Sequence, residues 1–498
     1  MQRRVLVLGA LLVFIIPSVF GQSCPPNLPV GNCAPKAGTP SAFAGDSGPM
    51  RTRKSIFALN ATEIAELRLA FKRLRALPAT DPRRWLAQAN VHCWNCSGDS
   101  STIPDVHGNW AFMPWHRDFL YQIEKILGQL VNNPKFALPY WDWNTADDPS
   151  CTTGSHLGIP PPYFPKTAGT PRASNSLWDC FRDETATAKM PSTSVGPTRV
   201  NNILTTRNTF PLFFGGPNTS SALWPGPHGY VHLWTADHTI DPSSPKQDMG
   251  VLETAARDPL FWAHHANIDR LWDVWISMHG QPAYTSDFLA QHWTFWSSAP
   301  SPFKLVTMTA DDAANRATRL KYQYAAPSCK PTSPLLLMQQ FEAINQQLIP
   351  IGPDPQTIKS QAGPPERTFS IAGKTGTHVV VHLDTITVPP DKGAILRVYL
   401  NKPNATAGES DESDDRLIDE LFIVPSKSPG EDHSGMHAHS FNVVIPLPER
   451  LAAEAEAAKG EVSVTIVPVR GSRTAVGLLN ARPEEVDVKM QKPYITVE

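Results

Sequence analysis

Charge is scarce in this chain. Asp, Glu, Lys and Arg make up 18% of its 498 residues and nearly cancel, leaving a formal net charge of −2. There is no basic field to hold nucleic acid and no polybasic stretch to dock on anionic lipid. No internal repeat is evident, and no run beyond the first twenty-one residues could cross a bilayer. The His-Glu-x-x-His arrangement of a zinc hydrolase is also missing. Cysteine is sparse and odd in number, at seven, so at least one thiol is left over from any set of disulfides. The hydrophobic share, 41%, still permits a large buried core, enough for one large domain and a smaller one.

The N-terminus opens with Gln2-Arg3-Arg4, runs apolar from Val5 to Ile16 and closes on Val19-Phe20-Gly21. That pattern predicts a signal peptide over residues 1–21, a mature chain from Gln22, and an exported protein, secreted or periplasmic. The alternative, an uncleaved anchor, is disfavoured because the apolar run is shorter than a bilayer span. Export makes disulfides possible.

The informative residues are histidines. His228 and His232, four apart, share one face of a helix and can hold one metal ion. His265, at the end of Asp258-Pro259-Leu260-Phe261-Trp262-Ala263-His264-His265, can complete a site of three imidazoles from a second helix. Upstream, His92, His107 and His116 could form a matching site, the last inside Phe112-Met113-Pro114-Trp115-His116-Arg117. Two trios with no carboxylate in either point to a dicopper centre, although zinc and nickel also accept nitrogen, so ligand type alone does not settle the metal. His264 and His265 point about a hundred degrees apart on one helix, so only one of them faces a metal. Single histidines (His156, His238, His279, His292) lack a partner at ligand spacing and read as surface or satisfied core residues. His433, His437 and His439 read as a solvated loop, as does the acidic run from Glu409 to Asp415.

At these motifs the chain resembles the type 3 copper proteins, most closely the plant-type polyphenol oxidases (catechol oxidases and tyrosinases). The resemblance rests on the His107-to-His116 spacing, the Pro114-Trp115-His116-Arg117 run, the His228/His232 pair and the segment from Asp258 to Trp272. It implies two copper ions held by His92, His107, His116, His228, His232 and His265, with His264 behind the ligands, supported by Asn267 or Asp269. It implies a thioether from Cys96 to His107, where the residues alone also allow a disulfide for Cys96. It pairs Cys93 with Cys33 or Cys24, and we suggest Cys151 with Cys180. Leu252 falls where relatives place a gate residue. Gly229 and Trp224 stand where monophenol-hydroxylating relatives carry an Asn and a Glu, which favours diphenols as substrates. The implied activity is oxidation of o-diphenols to o-quinones with reduction of dioxygen to water. The implied partners are a small phenol and dioxygen, with no nucleic acid and, after signal cleavage, no membrane. A tyrosinase acting on monophenols and a haemocyanin-like oxygen carrier are the alternatives.

Apolar spacing predicts helices over 61–76 and 115–131, the second starting after Pro114. Residues 147–227, rich in Pro, Gly, Thr and Ser, read as long loops. The expected fold is mainly α: a helical dicopper domain with a four-helix-bundle core over 22–326, a linker over 327–367, and a smaller all-β, sandwich-like domain over 368–498. Short β-branched runs predict its strands at Thr377–Leu383, Ala394–Leu400, Leu421–Val424, Phe441–Leu447 and Val462–Val469. By the same resemblance, this domain shields the active site of a latent proenzyme.

Overall fold

In a computed structural model of the chain, the described residues are 33, 38–96, 105–145, 156–164, 175–183, 188–238, 247–299, 302–325, 348–351, 356–359, 361–362, 378–389, 393–406, 414–426, 439–458, 462–469, 488–491 and 493–497. The expected signal peptide, the acidic run up to Glu412, and Cys24, Cys151, His433 and His437 lie outside them, while Asp414 and Asp415 pair with Lys402 and Arg450.

The N-terminal part is helical. Helix α1 (Ala61–Arg75) starts with a capping box: the Asn60 side chain accepts from the Glu63 N–H and the Glu63 carboxylate accepts from the Asn60 N–H, which satisfies two otherwise orphaned donors. Helices α2 (Trp85–Cys96) and α3 (Phe112–Leu130) follow. The α3 helix begins at Phe112, so Pro114 sits inside its first turn, where no N–H is needed for an intrahelical bond. Nearly every residue of α3 from Phe112 to Gly128 is buried, which makes it the central rod of the core. Helix α4 (Pro197–Thr206) and a short helix at Phe210–Phe214 lie in the stretch expected as loops. That expectation misread prolines that stand in first helical turns. Helix α5 (Gly229–Ala236) is preceded by a π-type turn, Trp224–His228, and α6 (Leu260–His279) packs along α3 and ends at Gly280, whose φ of 82° suits glycine.

The helical part is closed on itself by charge. Strand β1 (Ser41–Ala42) pairs with β4 (Leu305–Thr309), which also pairs with β3 (His292–Trp296), while β2 (Arg51–Arg53) runs parallel to β5 (Tyr322–Tyr324). From β2, Arg51 and Arg53 each reach Glu124 of α3 at 2.7 Å, and Arg53 also reaches Asp269 of α6 at 3.0 Å. Both tyrosines of β5 donate to Asp269, and Arg117 of α3 pairs with it. Each of these buried charges has a partner, the condition under which a dry ion network is tolerated.

The C-terminal part is β. One sheet has the order β11 (Leu417–Ile423), β10 (Ala394–Leu400), β13 (Ser463–Pro468), β7 (Gln356–Lys359). The other runs β6 (Leu348–Ile351), β14 (Val488–Gln491), β9 (Val379–Val388), β15 (Tyr494–Val497), β8 (Gln361–Ala362), with β12 (His439–Pro446) also on β9. The linker expected over 327–367 therefore needs correction, because β6, β7 and β8 fall inside it and belong to these sheets. Pro350 hid β6 from sequence reading. It is tolerated because β6 is an edge strand.

Candidate metal centre

Three elements carry the first trio. His92 comes from α2, His107 from the loop before α3, and His116 from the first turns of α3. All three are buried, and their Nε2 atoms converge: His92 lies 3.3 Å from His107 and 3.4 Å from His116. The second trio uses α5 and α6. His228 caps α5, His232 follows one turn later with ring centroids 4.5 Å apart, and His265 of α6 brings its Nε2 to 3.2 Å from that of His232. The two trios face each other, since the rings of His116 and His265 stack at 4.3 Å and 11°. All six sequence-predicted ligands are thus in one buried cluster.

The far sides of these rings decide what the near sides can do. His92 Nδ1 lies 2.7 Å from the Leu252 carbonyl, His116 Nδ1 2.7 Å from that of Phe112, His232 Nδ1 2.7 Å from that of Met249, and His228 Nδ1 3.1 Å from that of Trp224. His107 Nδ1 lies 2.9 Å from the Asp105 carboxylate. Each partner only accepts, so each Nδ1 carries the ring's single proton and each Nε2 presents a bare lone pair. Lone pairs held near 3.3 Å in a dry pocket repel one another unless a cation lies between them, and His228 Nε2 is buried with no hydrogen-bond partner at all. The site fits a metal on each trio.

Burial, reinforced by neighbouring imidazoles, holds His92, His116, His228, His264 and His265 well below the usual histidine range. Burial likewise brings His232 down to about 3. These rings are neutral, as metal ligands must be.

His264 sits inside the second cluster, with a ligand atom within 4.8 Å of those of His228, His232 and His265. Its chemistry sets it apart. The Trp143 indole N–H, a donor only, points at His264 Nδ1 from 3.2 Å, so the neutral ring keeps its proton on Nε2 and cannot ligate there. The support expected from Asn267 or Asp269 is corrected accordingly. Asn267 bonds to Asn144 and Arg270, and Asp269 serves the arginine–tyrosine network.

Cys96 is a buried free thiol 3.0 Å from His92 Nδ1, and its sulfur lies within 4.8 Å of the ligand nitrogens of His92 and His107. Cys93 is bonded to Cys33, which resolves the Cys33-or-Cys24 alternative. Cys180 is also disulfide-bonded, with its suggested partner Cys151 outside the described residues.

Leu252 is buried and contributes through its backbone: its carbonyl holds His92, and its N–H bonds to the Pro425 carbonyl of the β part at 2.9 Å. Trp224 gives His228 its carbonyl and meets Phe441 with its ring at 4.5 Å. Gly229 has ordinary helical φ and ψ, yet a Cβ there would lie 2.0 Å from the Phe422 carbonyl oxygen of β11. A glycine is needed because a strand passes over it. Phe261 is fully buried and packs on His92, His232 and His265. The isolated histidines stay outside the cluster; His156, for example, bonds to Asp142 and stacks on Phe57.

Sequence reading missed Asp105 and the carbonyls of Phe112, Trp224, Met249 and Leu252. Only Asp105 had a local signal, its placement two residues before His107, whose N–H it also accepts at 3.0 Å.

Comparison with known proteins matches this cluster. The common central domain of tyrosinase matches residues 82–202 and 163–278. A solved polyphenol oxidase from Grenache grapevine (Vitis vinifera) is 30% identical, the match covering 94% of that chain and 61% of this one with a TM-score of 0.51. The chain belongs to the plant-type polyphenol oxidase family. A chloroplastic polyphenol oxidase from Vitis vinifera is 29% identical over 75% of this chain, which spans 60% of that relative's length. The latent apple tyrosinase structure shares the fold over 92% of this chain and all of its own, with a TM-score of 0.70 at 22% identity. The type 3 copper proteins of this family bind two copper ions, and this chain has two histidine-rich groups, one with His92 and His107 and one with His228, His232, His264 and His265. Among the described residues no helix is long and apolar enough to cross a membrane.

Proposed function

We propose that the chain is a latent o-diphenol oxidase, with His92, His107 and His116 holding one copper ion and His228, His232 and His265 the other. Two catechols give up four electrons and four protons to one dioxygen, yielding two o-quinones and two waters. Bound copper supplies the electron-transfer chemistry, taking electrons from the phenol and delivering them to oxygen. The protein's part is geometric: it holds five Nδ1–H groups on fixed acceptors, aims the lone pairs inward, and lines the site with apolar rings such as Phe112 and Phe261 that exclude water. A thioether between Cys96 and His107 would lock the His107 ring further.

The observation that carries the reading is the pair of facing trios under a β domain. Phe441 of β12 packs between Trp224 and Gly108, next to the ligands His228 and His107, and the Phe422 carbonyl presses on Gly229. With these contacts in place a phenol has no entry over α5, hence a latent form that opens when the β domain is displaced. Trp224 brings no carboxylate and Gly229 no amide to steady a base-like water, so diphenols are favoured over monophenols. The Cys33–Cys93 bond fits a chain exported from the cytosol into an oxidising compartment, whether an organelle lumen or the cell exterior.

The test is oxygen uptake by the copper-loaded chain, before and after limited proteolysis, with catechol and with tyrosine. Catechol oxidation that rises on proteolysis, with little tyrosine oxidation, is the expected result. Reversible oxygen binding without turnover in the opened chain would instead mark an oxygen carrier, and equal use of tyrosine a hydroxylating enzyme.

A further inference from the structure

The contact between the two parts contains a charge arrangement that the copper chemistry does not require. Arg199 on α4, partly buried, and Arg207, the buried residue that ends it, both pair with one carboxylate, Asp419 of β11. Arg207 Nη2 meets Asp419 Oδ2 at 2.8 Å, Arg199 Nη2 meets Oδ1, and Arg199 also donates to the Glu420 carbonyl at 3.2 Å. Every acidic group named here belongs to the β domain. Within the helical part, Arg207 Nη1 donates to the Thr206 hydroxyl at 3.4 Å. Both Nε–H groups are buried with no acceptor.

The position matters as much as the charge. Arg199 Nη2 would lie 3.8 Å from a Cβ on Gly226, in the turn that carries Trp224 and ends at the ligand His228. The enclosed space beside the arginines is walled by Leu212, Ser221 and Gly226 on the helical side and by Leu421 and Val443 on the β side. When the β domain leaves, Asp419 and half of that wall leave with it. Two guanidinium groups that shared one carboxylate then stand beside the turn that leads to His228 without it, an arrangement that favours a bidentate anion.

We propose that Arg199 and Arg207 form a carboxylate-recognition pair at the entrance to the site: Asp419 fills it in the closed chain, and the carboxylate of an acidic o-diphenol fills it in the opened one. The inference rests on the o-diphenol oxidase reading. It names the substrate class as catechols bearing a carboxylate on a short side chain, and makes the shield's acidic residue a stand-in for substrate.

Two measurements test it, using the copper-loaded chain opened by limited proteolysis, with Asp419 intact and, independently, with Asp419→Ala. The first compares KM for 3-(3,4-dihydroxyphenyl)propionate with KM for its methyl ester. A KM for the acid lower by about tenfold is expected, the scale of one charge-assisted hydrogen bond, and it should rise with salt. Adding Arg207→Gln or Arg199→Gln should bring the acid-to-ester ratio close to one. The second is calorimetric binding of 3-phenylpropionate, which has no hydroxyls and needs no turnover. Binding to both opened chains that is lost with Arg207→Gln supports the pair even if neither catechol is oxidised, a result that would count against the oxidase reading alone. Equal KM values for acid and ester, or no binding of 3-phenylpropionate to either opened form, overturns the proposal.

Discussion

The two histidine trios are similar in ligand chemistry and different in surroundings. The first is braced from within the helical part: a carbonyl of α3, a carbonyl of the 247–254 loop and the Asp105 carboxylate fix all three Nδ1 atoms. The second has two such braces, the Trp224 and Met249 carbonyls, while His265 Nδ1 is buried without a partner. What the second trio has instead is the β domain. Phe422 lies over Gly229 and stacks edge-on against Tyr230 at 4.8 Å, and Asp419 holds the arginines beside the turn that leads to His228. The fixed acceptors are concentrated at the first trio, and the tightest and charged contacts with the β part at the second.

The largest effect expected from this contrast comes from removing a ligand. His116→Ala in the first trio or His232→Ala in the second should each reduce copper from two ions per chain to one and take catechol oxidation to background, because both ions must cooperate in a four-electron reduction. The remaining copper(II), without its neighbour, should give an ordinary mononuclear paramagnetic resonance signal. Two coppers retained together with activity in either variant would remove that histidine from the ligand set.

A smaller effect should separate the trios. Gly229→Asn in the full chain places a side chain where 2.0 Å is available beside the Phe422 carbonyl, so β11 must lift away. Catechol turnover of the uncleaved chain should rise several-fold toward that of the proteolysed one. Gly108→Ala, next to His107 in the first trio, has the Phe441 Cβ at 3.0 Å as its nearest neighbour and should open the chain less. Equal activation by both, or none from Gly229→Asn, would mean that access is not governed at the second trio.

The same contrast explains what could be read in advance. Ligand histidines were legible because their signal is local: a four-residue spacing on α5, a Pro-Trp-His-Arg run at the head of α3, and a dense motif at the head of α6. Helix α2, which carries His92, was not, because Trp85–Cys96 contains no Asp, Glu, Lys or Arg and so shows no contrast between a charged and an apolar face. The Nδ1 partners were hidden for another reason. Every residue has a carbonyl, and Leu252 lies 160 positions from the histidine it holds. Gly229 read as a missing asparagine, and only a strand folding back from residues 417–423 shows why no side chain fits there. Of the β domain, Ala394–Leu400 is legible to the residue, since apolar residues, broken only by Arg397, run through a strand buried on both faces. The edge strands β6, β7 and β8 lack that run and read as linker.

The smallest expected effect concerns protons, and it tests whether the two trios are prepared before metal arrives. Copper binds only neutral imidazole, so any ligand protonated in the metal-free chain must release its proton on binding. A histidine at the ordinary pKa of about 6.5 is roughly three-quarters protonated at pH 6 and would release that fraction. In the folded chain, burial lowers His92 and His116 of the first trio and His228, His232 and His265 of the second, the fourth of these to about 3. A lowered pKa means the neutral form persists as the pH falls below 6.5, so these five rings have no proton to lose at pH 6. Calorimetric titration of copper into the metal-free folded chain, repeated at pH 6 in buffers of different ionisation enthalpy, should therefore count fewer than one proton released per chain. Release of three or more would show that the imidazoles are hydrated and charged until copper binds, and that the inward lone pairs are a product of metal binding rather than of the fold.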